Sequence, residues 1–228
     1  MNRALMNFKL CVIRHNRYVS STISPSNRFA GIRRPDTTQA GTIVWLGSEV
    51  MFFAGLFAIL FTLRATASEH FAHGQSLLNV TWATIITVIL VTSSVTAQMA
   101  VFKAEEDPIK LRGYGLNPKN WGAAEWYMLS IVLGILFIAG QTYEYAVLVS
   151  EGITFSSDPW ASVFFLTTGF HGLHVIGGII AMLFVVGRIY ATKVPSHKEA
   201  TTAIVVSYYW HFVDVVWIGL YFAIYWMR

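Results

Sequence analysis

The chain contains few charged residues and a single cysteine. Charged residues make up 12% of its 228 positions, about half the share found in soluble globular domains. The lone cysteine, Cys11, excludes an internal disulfide, a CxxC redox pair and any site that needs two thiolates, including a dinuclear copper centre. The formal net charge of +4 is spread over several short segments rather than one basic stripe, so the composition does not favour nucleic-acid binding.

Apolar residues dominate instead, at 55% of the chain, and they are concentrated in five long segments. A transmembrane helix needs about 20 predominantly apolar residues to cross roughly 30 Å of hydrocarbon. The sequence therefore predicts an all-α membrane protein, in which residues 41–228 form one bundle of five transmembrane helices. The predicted spans are approximately 41–63, 81–102, 123–149, 160–191 and 201–227.

Basic residues are distributed unequally between the two ends of these spans. Of the 16 lysines and arginines, 14 precede the first span or follow the second and fourth, and only Arg64 and Arg228 lie at the opposite ends. Loops rich in lysine and arginine stay in the cytoplasm. We therefore expect a cytoplasmic N-terminus and an outer C-terminus.

Residues 1–40 have a different composition from the rest of the chain. They are basic and rich in serine and asparagine, with Asp36 as their one acidic residue. The apolar run 10–13 is too short for a secretory signal peptide. This composition fits a mitochondrial targeting segment, a solvated cytoplasmic tail, or a start codon assigned too far upstream. We expect a mostly disordered cytoplasmic tail.

Glu49 is the most informative single residue because it is a carboxyl group inside an apolar span. Such a group must be protonated, hydrogen-bonded or paired. It lies roughly 12 Å from the inner edge, in the same slab as His171 and His174 of the fourth span. Two readings stay open: a neutral acid that links two helices, and a group that handles protons or packs beside a lipid.

Three further sets of polar residues lie within or at the ends of the spans. His171 and His174, three residues apart on one helix, suit a metal or haem, although a buried hydrogen-bond network is favoured. His211 and Asp214 share one face of the fifth span and fit a proton relay or, as we favour, a structural clamp. Arg188 at the inner end of the fourth span suits a lipid phosphate and simple snorkelling equally well. Gln141, Glu144 and Tyr145 lie near the outer end of the third span, where we expect interfacial solvation.

Three of these motifs together resemble cytochrome c oxidase subunit III. They are Gly47–Phe53 (GSEVMFF), Thr168–Val175 (TGFHGLHV) and Tyr209–Trp217 (YWHFVDVVW), in that family's order and on the expected helices. The similarity extends from about Thr42 to Arg228. The five spans, where the mitochondrial form has seven, most resemble the actinobacterial type.

The resemblance implies a subunit without its own redox centre. Haem and copper would belong to the partner subunits I and II, and this chain would support sustained proton uptake and protect the oxidase during turnover, partly through bound phospholipid. Glu49 matches the family's intramembrane glutamate, His171 and His174 its paired histidines, and Arg188 its lipid-facing arginine. The expected location is the bacterial plasma membrane, with the mitochondrial inner membrane as the alternative. A cytochrome bc-type complex is a further potential partner in a supercomplex.

Two other functions stay open at this point. Subunit III of a quinol oxidase shares the fold, and the electron donor cannot be read from these residues. A stand-alone proton-coupled transporter is less favoured, because the sequence lacks the broken helices or paired half-repeats of such proteins.

Overall fold

A computed structural model of the protein describes residues 37–106, 111–113, 120–191 and 197–227. Up to Asp36, the tail that we predict to be disordered lies outside the described residues, and so does Cys11. Within the described residues the structure is all-helical, as predicted.

The described residues form six α-helices and a terminal π-helical turn. These are α1 (Thr37–Thr66), α2 (Ser68–Ser76), α3 (Val80–Glu106), α4 (Ala123–Ser150), α5 (Pro159–Ala191), α6 (His197–Tyr221) and the π-helix Phe222–Trp226. Within this part of the chain, five segments are long and apolar enough to cross a membrane: α1, α3, α4, α5 and the stretch Thr201–Trp226. The prediction of five spans is confirmed. The short helix α2 was not predicted, because its nine residues are mostly polar.

Hydrogen bonds at one end of the bundle fix where α4 and α5 begin and end. The Glu125 carboxylate accepts the backbone N–H groups of Gly113 and Gly122, each at 2.9 Å, just before the first turn of α4. The Arg112 guanidinium donates to the carbonyl of Ile189 in the last turn of α5, at 3.1 Å from Nε. This end carries two of the basic loops, and the charge pattern predicts that it faces the cytoplasm.

At the opposite end, α5 begins with a side-chain cap and a proline in its first turn. Asp158 accepts the backbone N–H of Ala161 at 2.9 Å, and Pro159 is the first helical residue. The side chain of Trp160 is buried and lies so close to Gly74 of α2 that a methyl group at Gly74 would collide with the indole. Helix α2 therefore caps this end of α5.

The C-terminal π-helix is held by side chains from the α1–α2 region. Gln75 donates to the carbonyls of Ile224 and Met227 at 2.6 and 2.9 Å, and Arg64 donates to the carbonyl of Ala223 at 3.3 Å. A π-helical turn changes the backbone pairing, and helix ends leave carbonyls without helical partners. These two side chains supply the missing donors.

Small residues allow the long helices to approach closely. The fully buried indole of Trp210 on α6 lies against Gly134 of α4 and Gly178 of α5. A side-chain carbon at either glycine would lie only 2.8 or 2.7 Å from that ring. The glycines thus form the notch into which Trp210 packs, which is the usual function of small residues in membrane bundles.

Helix α1 is the most exposed of the spans. Only Phe53, Leu56 and Leu60 are buried in it, and it packs mainly against α5 and α6. Glu49 lies one helical turn before Phe53 and so approaches the side of α1 that contacts α5.

Candidate functional site

Glu49 and His174 meet across the α1–α5 contact. The Oε2 atom of Glu49 lies 3.2 Å from Nε2 of His174, and the two side chains are 21% and 17% exposed. Each residue lies near the middle of its helix: Glu49 is roughly 18 Å from the start of α1, and His174 is roughly 22 Å from the start of α5. The structure thus places a carboxyl–imidazole pair deep within the span.

The hydrogen bond at the second ring nitrogen of His174 shows which nitrogen carries a hydrogen. Nδ1 lies 2.7 Å from the carbonyl oxygen of Phe170, which can only accept, so Nδ1 carries a hydrogen. Nε2 then either accepts a hydrogen bond from a neutral Glu49 or, in an imidazolium, donates one to the carboxylate. Both arrangements contain one shared proton and have no net charge.

Aromatic rings surround this pair. The His174 ring lies 4.9 Å from the ring of Phe53 and 6.1 Å from that of Phe52, measured between centroids. The Tyr209 hydroxyl donates to the backbone carbonyl of His174 at 2.9 Å, and its ring stacks on Trp45 at 5.3 Å. The low polarity of these walls strengthens the interaction between the two groups.

His171 does not take part in this pair. It is fully buried, and its Nε2 donates to the backbone carbonyl of Val213 on α6 at 3.3 Å. Its ring lies between Phe137 and Trp217, at centroid distances of 5.8 and 4.7 Å, and its Nδ1 has no hydrogen-bond partner. Residues three apart on a helix point about 60° from each other, so the two histidines reach different neighbouring helices.

His211 lies in a separate polar cluster between α3 and α6. Its Nδ1 is 2.6 Å from the Ser94 hydroxyl, and its Nε2 is 3.0 Å from Oε1 of Gln98 and 3.1 Å from the Ser207 hydroxyl. Since the amide oxygen of Gln98 only accepts, Nε2 carries the hydrogen and Ser94 donates to Nδ1. The cluster links α3 and α6 through hydrogen bonds at both ring nitrogens.

Asp214 lies one turn after His211 and is buried. Neither of its carboxyl oxygens has a hydrogen-bond partner. The hydrogen bonds of the His211 cluster therefore do not include Asp214.

Arg188 is in the last turn of α5, on the exposed side of the helix. Its guanidinium carbon lies 5.9 Å from the centroid of the Phe184 ring. This places a cation at the end of the span that the charge pattern assigns to the cytoplasm.

The expected solvation of Gln141 and Glu144 is wrong. Gln141 and Glu144 are only 4% and 6% exposed. Gln141 donates to the carbonyl of Thr168 at 2.8 Å, Tyr145 is 2.6 Å from the Thr168 hydroxyl, and Glu144 accepts from the Tyr225 hydroxyl at 2.8 Å. Their position along the helix predicted exposure to the interface. The α2–α3 connection and the C-terminal turn instead cover the end of α4. The spacing of Gln141 and Glu144, three apart on one helix, was the available signal of a shared buried face.

Metal ligation by these residues finds no geometric support within the described segments. Among residues 37–106, 111–113, 120–191 and 197–227, no three histidine, cysteine, aspartate or glutamate side chains are grouped to hold a metal ion. His171 and His174 are instead engaged with different helices.

Five membrane-spanning-type helices with polar pairs at their contacts define this chain as an integral membrane protein. Its sequence matches the family described as cytochrome c oxidase subunit III over residues 23–228. A protein of Nocardia farcinica named "Probable cytochrome c oxidase subunit 3" is 47% identical over 203 residues, which cover 89% of this chain and 94% of that protein. "Cytochrome c oxidase subunit 3" of Corynebacterium diphtheriae is 46% identical, covering 88% and 93% of the two chains. The chain belongs to the cytochrome c oxidase subunit III family.

Proposed function

We propose that this chain is the non-redox subunit III of a haem–copper cytochrome c oxidase. In this role it supports the assembly and stability of the complex and sustains proton uptake by the catalytic subunit during oxygen reduction. The enzyme is the whole oxidase, and this chain is an accessory subunit of it.

The names of the relatives support the oxidase over the other two candidate functions. Proteins at 46–47% identity that match nearly their full length carry the name cytochrome c oxidase subunit 3. That name favours cytochrome c over quinol as the electron donor. Membership of an oxidase subunit family also favours a role inside a complex over a stand-alone transporter.

The Glu49–His174 pair is the observation that carries the proton-related part of the proposal. The two groups are 3.2 Å apart, lie near the middle of two spans and are about one-fifth exposed. A group at this depth exchanges protons only through neighbouring polar groups or water. The pair can therefore retain a proton close to a partner subunit without carrying a net charge through the bilayer.

The proposed partners follow from the same assignment. Subunits I and II of the oxidase hold the haem and copper, and this chain packs beside them in the bacterial plasma membrane, as its actinobacterial relatives suggest. Two further partners are proposed: a cytochrome bc-type complex in a supercomplex, and a phospholipid at Arg188.

Affinity purification of the tagged chain from membranes tests the assignment. The purified complex is expected to contain subunits I and II with haem and copper in stoichiometric amounts. After the subunits are separated, this chain is expected to retain neither metal.

Two results would contradict the proposal. One is recovery of the chain without any haem–copper subunit from membranes that respire aerobically. The other is stoichiometric iron or copper on the separated chain.

A further inference from the structure

The first half of α1 is held in place by side-chain contacts rather than by burial. The structure describes α1 in full, and its buried residues begin at Phe53, with none among residues 37–52. Glu49 lies in this half of the helix. The ring of Trp45 is 48% exposed, and it stacks on Tyr209 of α6 with the centroids 5.3 Å apart and the planes at 14°. This stack ties the first half of α1 to the bundle.

Trp45, Glu49 and Phe53 form one row along α1, because residues four apart on a helix share a face. Phe53, on one side of Glu49, is buried and contacts the ring of Phe212 on α6 at 6.1 Å. Trp45 lies one turn away on the other side, where α1 is open to its surroundings. Glu49 is thus held between a buried contact and an exposed one, so loss of the stack at Trp45 would release this part of α1.

Tyr209 also connects the row to α5. Its hydroxyl donates to the backbone carbonyl of His174 at 2.9 Å, and a carbonyl oxygen can accept this bond as well as a helical one. Glycines of α5 leave space for the tyrosine. A side-chain carbon at Gly177 would lie 3.3 Å from its hydroxyl oxygen, and one at Gly178 would lie 3.3 Å from its ring. One side chain therefore contacts both helices that carry the carboxyl–imidazole pair.

We propose that Tyr209 is the positioning residue of the Glu49–His174 pair. It joins Trp45, one turn from Glu49, to the backbone of His174 and so keeps the carboxyl group 3.2 Å from the imidazole. Its hydroxyl is bonded to a backbone carbonyl, so it acts on the separation of the two groups and not by transferring a proton. The consequence for proton uptake rests on the function proposed above, whereas the positioning does not.

The rate at which a hydrophobic carbodiimide labels Glu49 in the purified, assembled complex tests this proposal. Separation of the pair leaves the carboxyl group free to hold its own proton and to meet the reagent, so labelling becomes faster. Tyr209→Phe loses the hydroxyl and keeps the ring, and we expect it to label roughly threefold faster than wild type, the scale of one interhelical hydrogen bond. Tyr209→Leu also loses the stack and is expected to show a larger increase. Peptide mapping at successive times measures the rates.

Two comparisons separate positioning from general packing. Tyr208→Leu is the matched control, because Tyr208 is the neighbouring ring on α6 and is exposed, and it is expected to label as wild type does. In a His174→Leu background Glu49 has already lost its partner. Adding Tyr209→Phe to that background is expected to leave the labelling rate unchanged, because effects that act through one interaction are not additive.

Oxygen consumption during continuous turnover separates this proposal from the proposed function. If the pair sustains proton uptake, Tyr209→Phe starts at the wild-type rate and loses activity faster than wild type. Faster labelling of Glu49 with wild-type persistence would support the positioning and contradict the role in proton uptake.

Three results would overturn the positioning itself. The first is a wild-type labelling rate in the assembled Tyr209→Phe complex. The second is an equal increase when Tyr209→Phe is added to the His174→Leu background. The third is a parallel rise in the labelling of Glu144, which is buried on α4, because that would show a general loosening of the bundle.

Discussion

His174 and His171 use opposite ring nitrogens as donors, and this difference separates their roles. His174 fixes its Nδ1 hydrogen on its own helix and leaves Nε2 for Glu49, whereas His171 donates from Nε2 to α6. The first histidine therefore faces an acid on another helix. The second is enclosed by aromatic rings and is suited to holding helices together as a neutral group.

The protonation of the Glu49–His174 pair is testable by chemical labelling. Separating charges in an apolar setting is costly, so we expect the form with a neutral Glu49 and a neutral imidazole to dominate. A hydrophobic carbodiimide, which reacts with protonated carboxyl groups in apolar surroundings, is expected to label Glu49. Peptide mapping of the labelled complex measures this, with the exposed Glu69 on α2 as the unlabelled comparison. An absence of label at Glu49 in the intact complex would indicate the ion-paired form instead.

The His211 cluster is expected to contribute modestly to stability. Ser94→Ala removes one of the hydrogen bonds that join α3 to α6, and interhelical hydrogen bonds in membrane proteins average about 0.6 kcal/mol. We expect a small decrease in the thermal stability of the purified complex. The matched control is Thr92→Ala, since the exposed Thr92 bonds only to Val88 of its own helix. An equal effect of both substitutions would contradict a structural role for the His211 cluster.

The sequence located the titratable residues well but not their partners. Glu49 and His211 stand out because ionisable groups are rare in apolar spans. Ser94 and Gln98, which complete the His211 cluster, are of residue types that also occur on lipid-facing or self-bonded positions, so nothing in the sequence singled them out. Glu144 was misjudged because depth along a helix does not reveal which other segments cover its end.

At the scale of elements, glycine positions control how closely the helices pack. Gly178→Ala would place a methyl carbon 2.7 Å from the buried Trp210 ring, whereas Gly187→Ala on the same helix meets no atom within 4 Å. We expect the first substitution to destabilise the protein by about 1–3 kcal/mol through overpacking. The second is expected to be neutral or slightly stabilising, because alanine favours helix. Thermal unfolding of both variants measures the difference, and equal stabilities would contradict the close α5–α6 packing.

The five spans and their approximate bounds followed from hydropathy, whereas the short helix α2 at the predicted outer end did not. The apolar segments were long enough to be identified without ambiguity. Helix α2 is polar and short, and it is stabilised by Trp160 and by the C-terminal π-helix rather than by its own periodicity. Contacts between segments distant in sequence cannot be read from local patterns.

On the scale of the whole molecule, the lipid proposed at Arg188 makes a separate prediction. Arg188→Ala removes an exposed guanidinium at the predicted cytoplasmic boundary and is expected to reduce the phospholipid retained by the purified complex. Native mass spectrometry measures the bound lipid. Lys103→Ala is the matched control, because Lys103 pairs with Glu106 at 2.7 Å near the same boundary. Equal lipid retention in the Arg188→Ala and wild-type complexes would exclude this site.

We propose above all that the Glu49–His174 pair sustains proton uptake while oxygen reduction takes place in other subunits. Oxygen consumption by the assembled Glu49→Gln complex, followed through continuous turnover beside Glu69→Gln as control, tests it most directly. We predict that Glu49→Gln has an initial rate within about twofold of wild type, because the residue takes no part in the chemical step and the activation free energy hardly changes. Activity is then lost faster in Glu49→Gln alone. Complete loss of oxygen reduction from the first turnovers of a fully assembled Glu49→Gln complex, or persistence equal to wild type, would contradict the claim.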